Sequence, residues 1–232
     1  MKSFIITIKD NELSENAAKK CIESSVKLEN PFKIEVFDAV TPRLVEGLLN
    51  KYNLRWNYPW QGEEFDFSTG LKKSAYKTAD PKKRIACALS HYRLWKWCSD
   101  NHEHCLVLEH DAIFLQRLDP VYILNSNFNV VGINNPIGNT RKAKLFNDMV
   151  QEQRSVPIVM TPTIDDVSVP QGIAGNSAYI IHPTGARALL DLAHLHGLWP
   201  NDALMCKQLV KRLGVTTKYY TSTQGIESTT VN

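Results

Sequence analysis

Residues 106–111 read L-V-L-E-H-D, and the fold is decided by this stretch. Leu106, Val107 and Leu108 form an apolar run with the length and composition of a short buried strand. Glu109, His110 and Asp111 end it abruptly, with two carboxylates around an imidazole. In an open α/β sheet the ligand crevice lies beyond the carboxyl ends of the strands, so acids placed there face a site rather than a core. Two residues apart on an extended chain, Glu109 and Asp111 point the same way. Hard carboxylate oxygens suit Mg²⁺ or Mn²⁺, ions that also bind substrate phosphates. The same cluster serves equally as a solvated turn or a helix cap.

Upstream, residues 84–98 place Ile85, Leu89, Tyr92 and Trp95 at helical spacing, an amphipathic helix feeding the strand. The chain begins with a β-branched strand at 3–8. Asn11 or Ser14 can cap the helix that follows, with Ala17, Ala18, Cys21, Ile22 and Val26 inward, and a second strand lies at 34–37. Such a β-α-β unit is right-handed and parallel, and a nucleotide belongs at the carboxyl end of its first strand. No Gly-rich phosphate loop is present, which argues against a P-loop or dinucleotide site. Thr41-Pro42 predicts a capped helix running to about residue 52.

Residues 53–81 carry Trp56, Tyr58, Trp60, Phe65, Phe67 and Tyr76 without a sustained period. A loop of that length is expected to be a lid or binding loop, its rings either stacking on a sugar face or packing the loop onto the core. A short helix is predicted at 118–124, a strand at 128–133 and an irregular excursion at 134–169. Next come two glycines and a strand in G-I-A-G-N-S-A-Y-I-I at 172–181, then a helix at 183–195 with Ala186, Leu189, Leu190 and Ala193 inward. In W-P-N-D at 199–202, Asp202 is placed to cap a helix to about residue 213, before a strand at 215–220. A carboxylate there has its acid form disfavoured by helix N–H groups, which weakens it as a base. His102 and His182 read as surface residues.

The 232 residues fit one α/β domain, and 43% apolar with 22% charged content is that of an ordinary globular protein. A formal charge of +3 is too small for nucleic-acid binding and allows only a modest attraction to anionic donors or to a membrane surface at the periphery. The five cysteines are odd in number and lack metal-ligand spacing, so they read as core residues of a reducing compartment. The amino-terminal apolar run is too short for a signal sequence or a membrane span, and a cytoplasmic protein is expected.

C-A-L-S-H at 87–91, followed by a strand ending acid-x-acid, resembles glycosyltransferase family 25, whose lipopolysaccharide- and collagen-modifying members carry G-C-A-x-S-H and then L-E-D-D. Here Ala86 stands for the family glycine and His110 for its central acid. F-D-A-V at 37–40 is similar to the family's second strand end. Gly175, Ala178, Tyr179, Gly185, Ala186, Leu189 and Leu190 fall on its G-x-x-A-Y-x-I-x-x-x-G-A-x-x-L-L pattern. Asp202 falls on its P-x-D, and Gln224 with Ser228 on its closing segment.

The resemblance implies a GT-A-like, Rossmann-type open sheet, mostly parallel, flanked by helices and interrupted by long irregular loops. It implies inverting, metal-dependent transfer of a hexose, galactose being the family's commonest, from a nucleotide-diphosphate sugar such as a UDP-hexose to a hydroxyl of a saccharide or glycoconjugate. Asp111 with Glu109 would hold Mn²⁺ or Mg²⁺, and Asp202 would be the catalytic base. Ser90, His91, Glu109, His110 and Gly175 would line the donor site. Two other readings stay open: a nucleotide-sugar-binding or interaction protein that has lost activity, suggested by His110, and a metal-dependent phosphoesterase using strand-end carboxylates.

Overall fold

A computed structural model describes residues 1–140 and 142–226. Strand β1 (Lys2–Thr7) is buried along nearly its whole length because neighbours pair with it on both sides. Helix α1 (Glu12–Lys27) is capped by Asn11, whose side chain accepts from the Ser14 amide. Ser14 has a different task, its hydroxyl accepting from the Ile8 N–H at 2.8 Å. Ala18, Cys21 and Ser25 define the buried stripe, so Val26, a further 100° round the helix, is 72% exposed rather than inward. Strand β2 (Ile34–Asp38) then returns parallel to β1, completing the expected β-α-β unit.

The single helix expected from Thr41 divides in two. A 3₁₀ turn (Pro42–Leu44) precedes α2 (Val45–Tyr52), and the Thr41 side chain makes no capping hydrogen bond. Residues 53–81 are not a structureless loop: they contain a hairpin of β3 (Glu63–Asp66) and β4 (Leu71–Ser74). Its inward pair is Leu71 and Lys73, and a lysine at a core position hides the strand period from a hydrophobic reading.

Helix α3 (Pro81–Asn101) starts at Asp80, which accepts from the Lys82 amide, and ends at His102 in the left-handed region. Ile85, Leu89, Tyr92 and Trp95 are buried, as their spacing requires. It feeds β5 (Cys105–Glu109), which lies beside β1. Strand β6 (Ala112–Phe114), helix α4 (Val121–Leu124) and strand β7 (Val130–Gly132) follow.

The excursion at 134–169 contains α5 (Ala143–Gln151), with Ala143, Phe146 and Val150 buried on one face, and β8 (Ile158–Met160). Next are β9 (Ala178–Ile181) and α6 (Pro183–His196), which packs on α3. His182 is only partly exposed and caps α6, accepting from the Thr184 amide. Helix α7 (Asn201–Leu204) stops after one turn instead of running to residue 213. Cys206 bridges to Gly172 and Lys207 N–H bonds Gln171, which pulls the chain off the helical path. The last predicted strand is likewise split, into β10 (Leu213–Thr216) and β11 (Thr221–Thr223).

Seven strands form the central sheet in the order β2-β1-β5-β9-β7-β10-β8, and a second small sheet pairs β11 with β6. Five of the seven run one way, with β9 and β8 reversed. Alternate residues of β5 enter separate apolar clusters, Cys105 and Val107 on one face and Leu106 and Leu108 on the other. Among the described residues no helix is long and apolar enough to cross a membrane.

Candidate functional site

The carboxyl ends of β1 and β5 lie at one edge of the sheet, and the reversed direction of β9 brings its incoming segment to that same edge. A cavity of about 640 Å³ opens there. Ser90, His91, Glu109, His110, Asp111, Gly175 and Asp202 all line it, so residues scattered over more than a hundred positions of sequence meet in one place. A smaller hollow of about 360 Å³ between α1 and β2 contains none of them.

Glu109 is fixed at both ends. Its amide donates to the Ser177 carbonyl at 2.8 Å, and its Oε1 is 3.1 Å from His91 Nε2. His91 is fully buried, with Nδ1 2.9 Å from the Tyr179 hydroxyl, which accepts from Trp95 Nε1 at 2.8 Å. A carboxylate only accepts, so His91 Nε2–H donates to Glu109, and in that tautomer Nδ1 accepts the Tyr179 hydroxyl proton. Burial holds the Tyr179 phenol well above its ordinary pKa, keeping that proton in place. The Ser90 hydroxyl accepts from the Val40 amide and donates to the Ala86 carbonyl, each at 2.9 Å. The polar atoms of Ser90 and His91 therefore engage protein groups, and both residues hold the cavity wall.

Asp111 follows β5 in a tight turn. Its backbone carbonyl accepts from the Gln224 amide, and the Gln224 side chain donates to the carbonyls of Ala17, His110 and Ala112, clamping the acid turn from below. Ser228, the other closing residue marked in the sequence, lies outside the described residues. The Asp111 Oδ1 atom is buried and has no hydrogen-bond partner among the described residues. Burial, and then the charge of Glu109, push its carboxyl up to about 7. His110 is half-buried, and its pKa is lowered by burial against an opposing pull from Glu109.

Two donor sets compete for a cation. Cys87, His91 and Glu109 have ligand atoms within 4.8 Å of one another, but burial raises the Cys87 thiol and both His91 nitrogens are engaged. Glu109 and Asp111, two repelling carboxylates with an unpartnered oxygen, fit a hard divalent ion better.

Asp202 is not a helix cap. Pro200 holds that position, and Asp202 sits in the first turn of α7. Burial raises its pKa, while the nearby Arg84 charge and a hydrogen bond from Tyr76 pull it back and Glu109 pushes it up. Desolvation thus outweighs the helix amides and makes this carboxylate a stronger base than a capping position allows.

Arg84 lies 5.1 Å over the Tyr76 ring and lines the cavity. The sequence reading missed Tyr76, Arg84, Asn176 and Ser177 as site residues. Arg84 was findable, because Arg84, Cys87 and His91 share a helix face at i, i+3 and i+7. Gly175 has φ +77°, and a Cβ there would lie 2.6 Å from Asn134 Nδ2 and 2.9 Å from the Asn139 side chain. Glycine is required by backbone conformation and close packing at once.

Fold and cavity together define an α/β protein with an acidic ligand cleft at its strand ends. Residues 1–205 match glycosyltransferase family 25 (LPS biosynthesis protein), and the chain belongs to that family. A role in glycosyl transfer follows, with a sugar donor and an acceptor as partners.

Among solved structures the chain is similar to a glycosyltransferase involved in the glycosylation of the major capsid of PBCV-1, at 6% identity and a TM-score of 0.43 over 98% of this chain and 95% of that one. It is also similar to the apo WbbM bifunctional glycosyltransferase, at 10% and 0.46 over 94% and 38% of the two chains. A third is apo mouse xyloside xylosyltransferase 1, at 9% and 0.40 over 88% and 80%. No curated protein matches the chain.

Proposed function

We propose that the chain transfers a hexose, galactose being the first candidate, from a nucleotide-diphosphate sugar such as a UDP-hexose to a saccharide or glycoconjugate hydroxyl. In this reading anomeric configuration is inverted, Mn²⁺ or Mg²⁺ is the cofactor and the enzyme works in the cytoplasm. The family's description makes a lipopolysaccharide glycan the first acceptor to try. The observation that carries the reading is the buried, unpartnered Asp111 oxygen beside Glu109, in the same cavity as Asp202.

Asp111 and Glu109 are the residues that would hold the ion, which when bound offsets charge on the departing diphosphate. Asp202 takes the proton of the acceptor hydroxyl, a task its raised pKa favours. The Arg84 charge opposes that rise and favours the ionised carboxylate, while His91 holds Glu109 toward the cavity.

A metal-dependent phosphoesterase needs a second set of ligands, and among the described residues the one gathered trio is Cys87, His91 and Glu109. The loss-of-activity reading predicts binding without turnover. To decide, the protein is incubated with nucleotide sugars and saccharide acceptors, with and without Mn²⁺, and free nucleotide diphosphate is measured. Metal-dependent release that requires acceptor supports transfer. Binding without release under every acceptor condition would leave the binding-protein reading, and phosphate-ester hydrolysis without acceptor would favour the phosphoesterase.

A further inference from the structure

We infer that Asn176 and Ser177 select the sugar that is transferred, by hydrogen-bonding its hydroxyl groups. The inference rests on the transferase reading above and adds which residues discriminate among donors.

Asn176 is 9% exposed and Ser177 5%, and both line the cavity. Neither the Nδ2 nor the Oδ1 of Asn176, nor the Oγ of Ser177, has a hydrogen-bond partner among the described residues. Buried polar side chains are nearly always paired, so three such atoms together on one wall call for a ligand. Local backbone freedom cannot supply the missing partners. The Ser177 carbonyl is held by the Glu109 amide at 2.8 Å, Ala178 is already in β9, and Gly175 is wedged against Asn134 and Asn139.

The order of chemistry across the sheet edge identifies the ligand part. The wall at the β1 and β2 end is mainly apolar, with Ile6, Ile8, Leu13, Val40 and Pro42 beside the polar Asn11 and Thr41. Glu109 and Asp111 follow at the end of β5, and Asn176 and Ser177 come next, leading into β9. Apolar wall, carboxylate pair and neutral polar pair repeat the sequence base, diphosphate, sugar. With neighbouring strands about 4.8 Å apart, the span from β1 to β9 is roughly 10 Å, a distance a nucleotide sugar covers.

An amide offers two donors and an acceptor, and a hydroxyl offers one donor and acceptor lone pairs. That mixed set matches adjacent sugar hydroxyls, which both donate and accept. An acceptor-only phosphate could use the donors but would leave the buried Asn176 Oδ1 unpaired. The acceptor side is also close: a Cβ on Gly172, four residues before Asn176, would lie 2.6 Å from the Asp202 carbonyl.

The test is calorimetric titration with Mn²⁺ present, using UDP, GDP and ADP each beside its glucose and galactose conjugates. Wild type is compared with Asn176→Ala, Asn176→Asp and Ser177→Ala. Bare nucleotides should bind wild type, Asn176→Ala and Ser177→Ala within about 2-fold, while the added charge of Asn176→Asp should weaken nucleotides with and without a sugar. Affinity for the preferred sugar nucleotide should fall about 10- to 100-fold in Asn176→Ala, and the preference between the two epimers should shrink toward unity.

Because the Asn176 side chain makes no hydrogen bond to the described residues, the alanine variant should melt no lower than wild type. Should it fail to fold, Ser177→Ala carries the same comparison. Unchanged epimer preference, or an equal loss for bare nucleotide in the alanine variants, overturns the inference while leaving the transferase reading intact. A wild-type protein that binds no nucleotide sugar overturns both.

Discussion

Asp111 is held where its charge is poorly tolerated, and that sets its pH behaviour. Its carboxyl is raised from the ordinary 3.8 to about 7, so between those values the folded protein binds a proton that the unfolded chain has released. Stability from this group is therefore complete below pH 4 and is lost as pH rises through 7. Asp111→Asn removes the ionisation: the variant should exceed wild type by up to about 4 kcal/mol at pH 8, with the difference vanishing near pH 4 in denaturant titrations. The same variant should lose any stabilisation by Mn²⁺, and Asp111→Ala should lose metal-dependent turnover with the fold intact. Glu109→Ala should cost less turnover than Asp111→Ala.

Asp202→Asn should lower transfer by roughly 10²- to 10⁴-fold with little change in donor affinity. Tyr76 donates to this carboxylate and so stabilises its anion. In Tyr76→Phe the acidic limb of kcat/KM should move to higher pH, and an unmoved limb would detach Tyr76 from the base. Glu109 and Asp111 were legible as a candidate site, because E-H-D after an apolar run marks a ligand edge by its chemistry, whereas Asp202 reads as a helix cap and stands out only through the family resemblance. Tyr76 and Asn176 were not legible, since a tyrosine or an asparagine in a loop carries no spacing that tells a site from a surface.

Elements were legible in proportion to the clarity of their apolar period. Helix α3 declares itself through Ile85, Leu89, Tyr92 and Trp95 and a proline in its first turn, whereas α5 is short and flanked by asparagines, prolines and charges. The β3–β4 hairpin was missed because its core residue is Lys73, 0% exposed, bonded to Asp66 at 3.2 Å and Glu64 at 3.4 Å and lying 5.1 Å over Trp199. That contact ties the hairpin to the segment that leads into α7 and Asp202.

Lys73→Ala leaves Asp66, itself 8% exposed, without its charge partner and should destabilise by about 3–5 kcal/mol. Lys73→Met with Asp66→Asn removes both charges and should recover most of that loss in thermal melts, so an equally unstable double variant would mean that packing rather than charge holds the hairpin. The hairpin's outer surface carries Phe67 at 91% exposure, next to its turn. Limited proteolysis should cut the 53–81 segment first and more slowly with donor and Mn²⁺ present, as for a closing lid. Equal rates with and without ligands would leave the segment as a fixed wall.

At the scale of the whole molecule, the site exists because one strand runs backwards. If β9 were parallel to β5, its carboxyl end would reach the cavity and Gly175, Asn176 and Ser177 would lie at the far edge of the sheet. The sequence predicts a mostly parallel sheet and its β-α-β opening correctly, yet strand direction in the second half depends on pairings between distant segments that no local period records. The cost of this arrangement is a cavity with opposed carboxylates and unpaired amide and hydroxyl groups, all of which destabilise the empty protein.

A ligand that satisfies these groups should stabilise the protein as a unit. At a free concentration 100 times its dissociation constant, a specific ligand adds about 2.7 kcal/mol. Thermal melts at pH 8, where Asp111 is ionised, should show a rise with Mn²⁺ and a larger rise with Mn²⁺ plus the matching nucleotide sugar. At pH 5, where Asp111 holds its proton, the Mn²⁺ shift should shrink, because the ion must displace that proton. A Mn²⁺ shift equal at both pH values would remove Asp111 as the metal's ligand, and a donor shift indifferent to Mn²⁺ would mean that the diphosphate is held by Arg84 and the backbone instead.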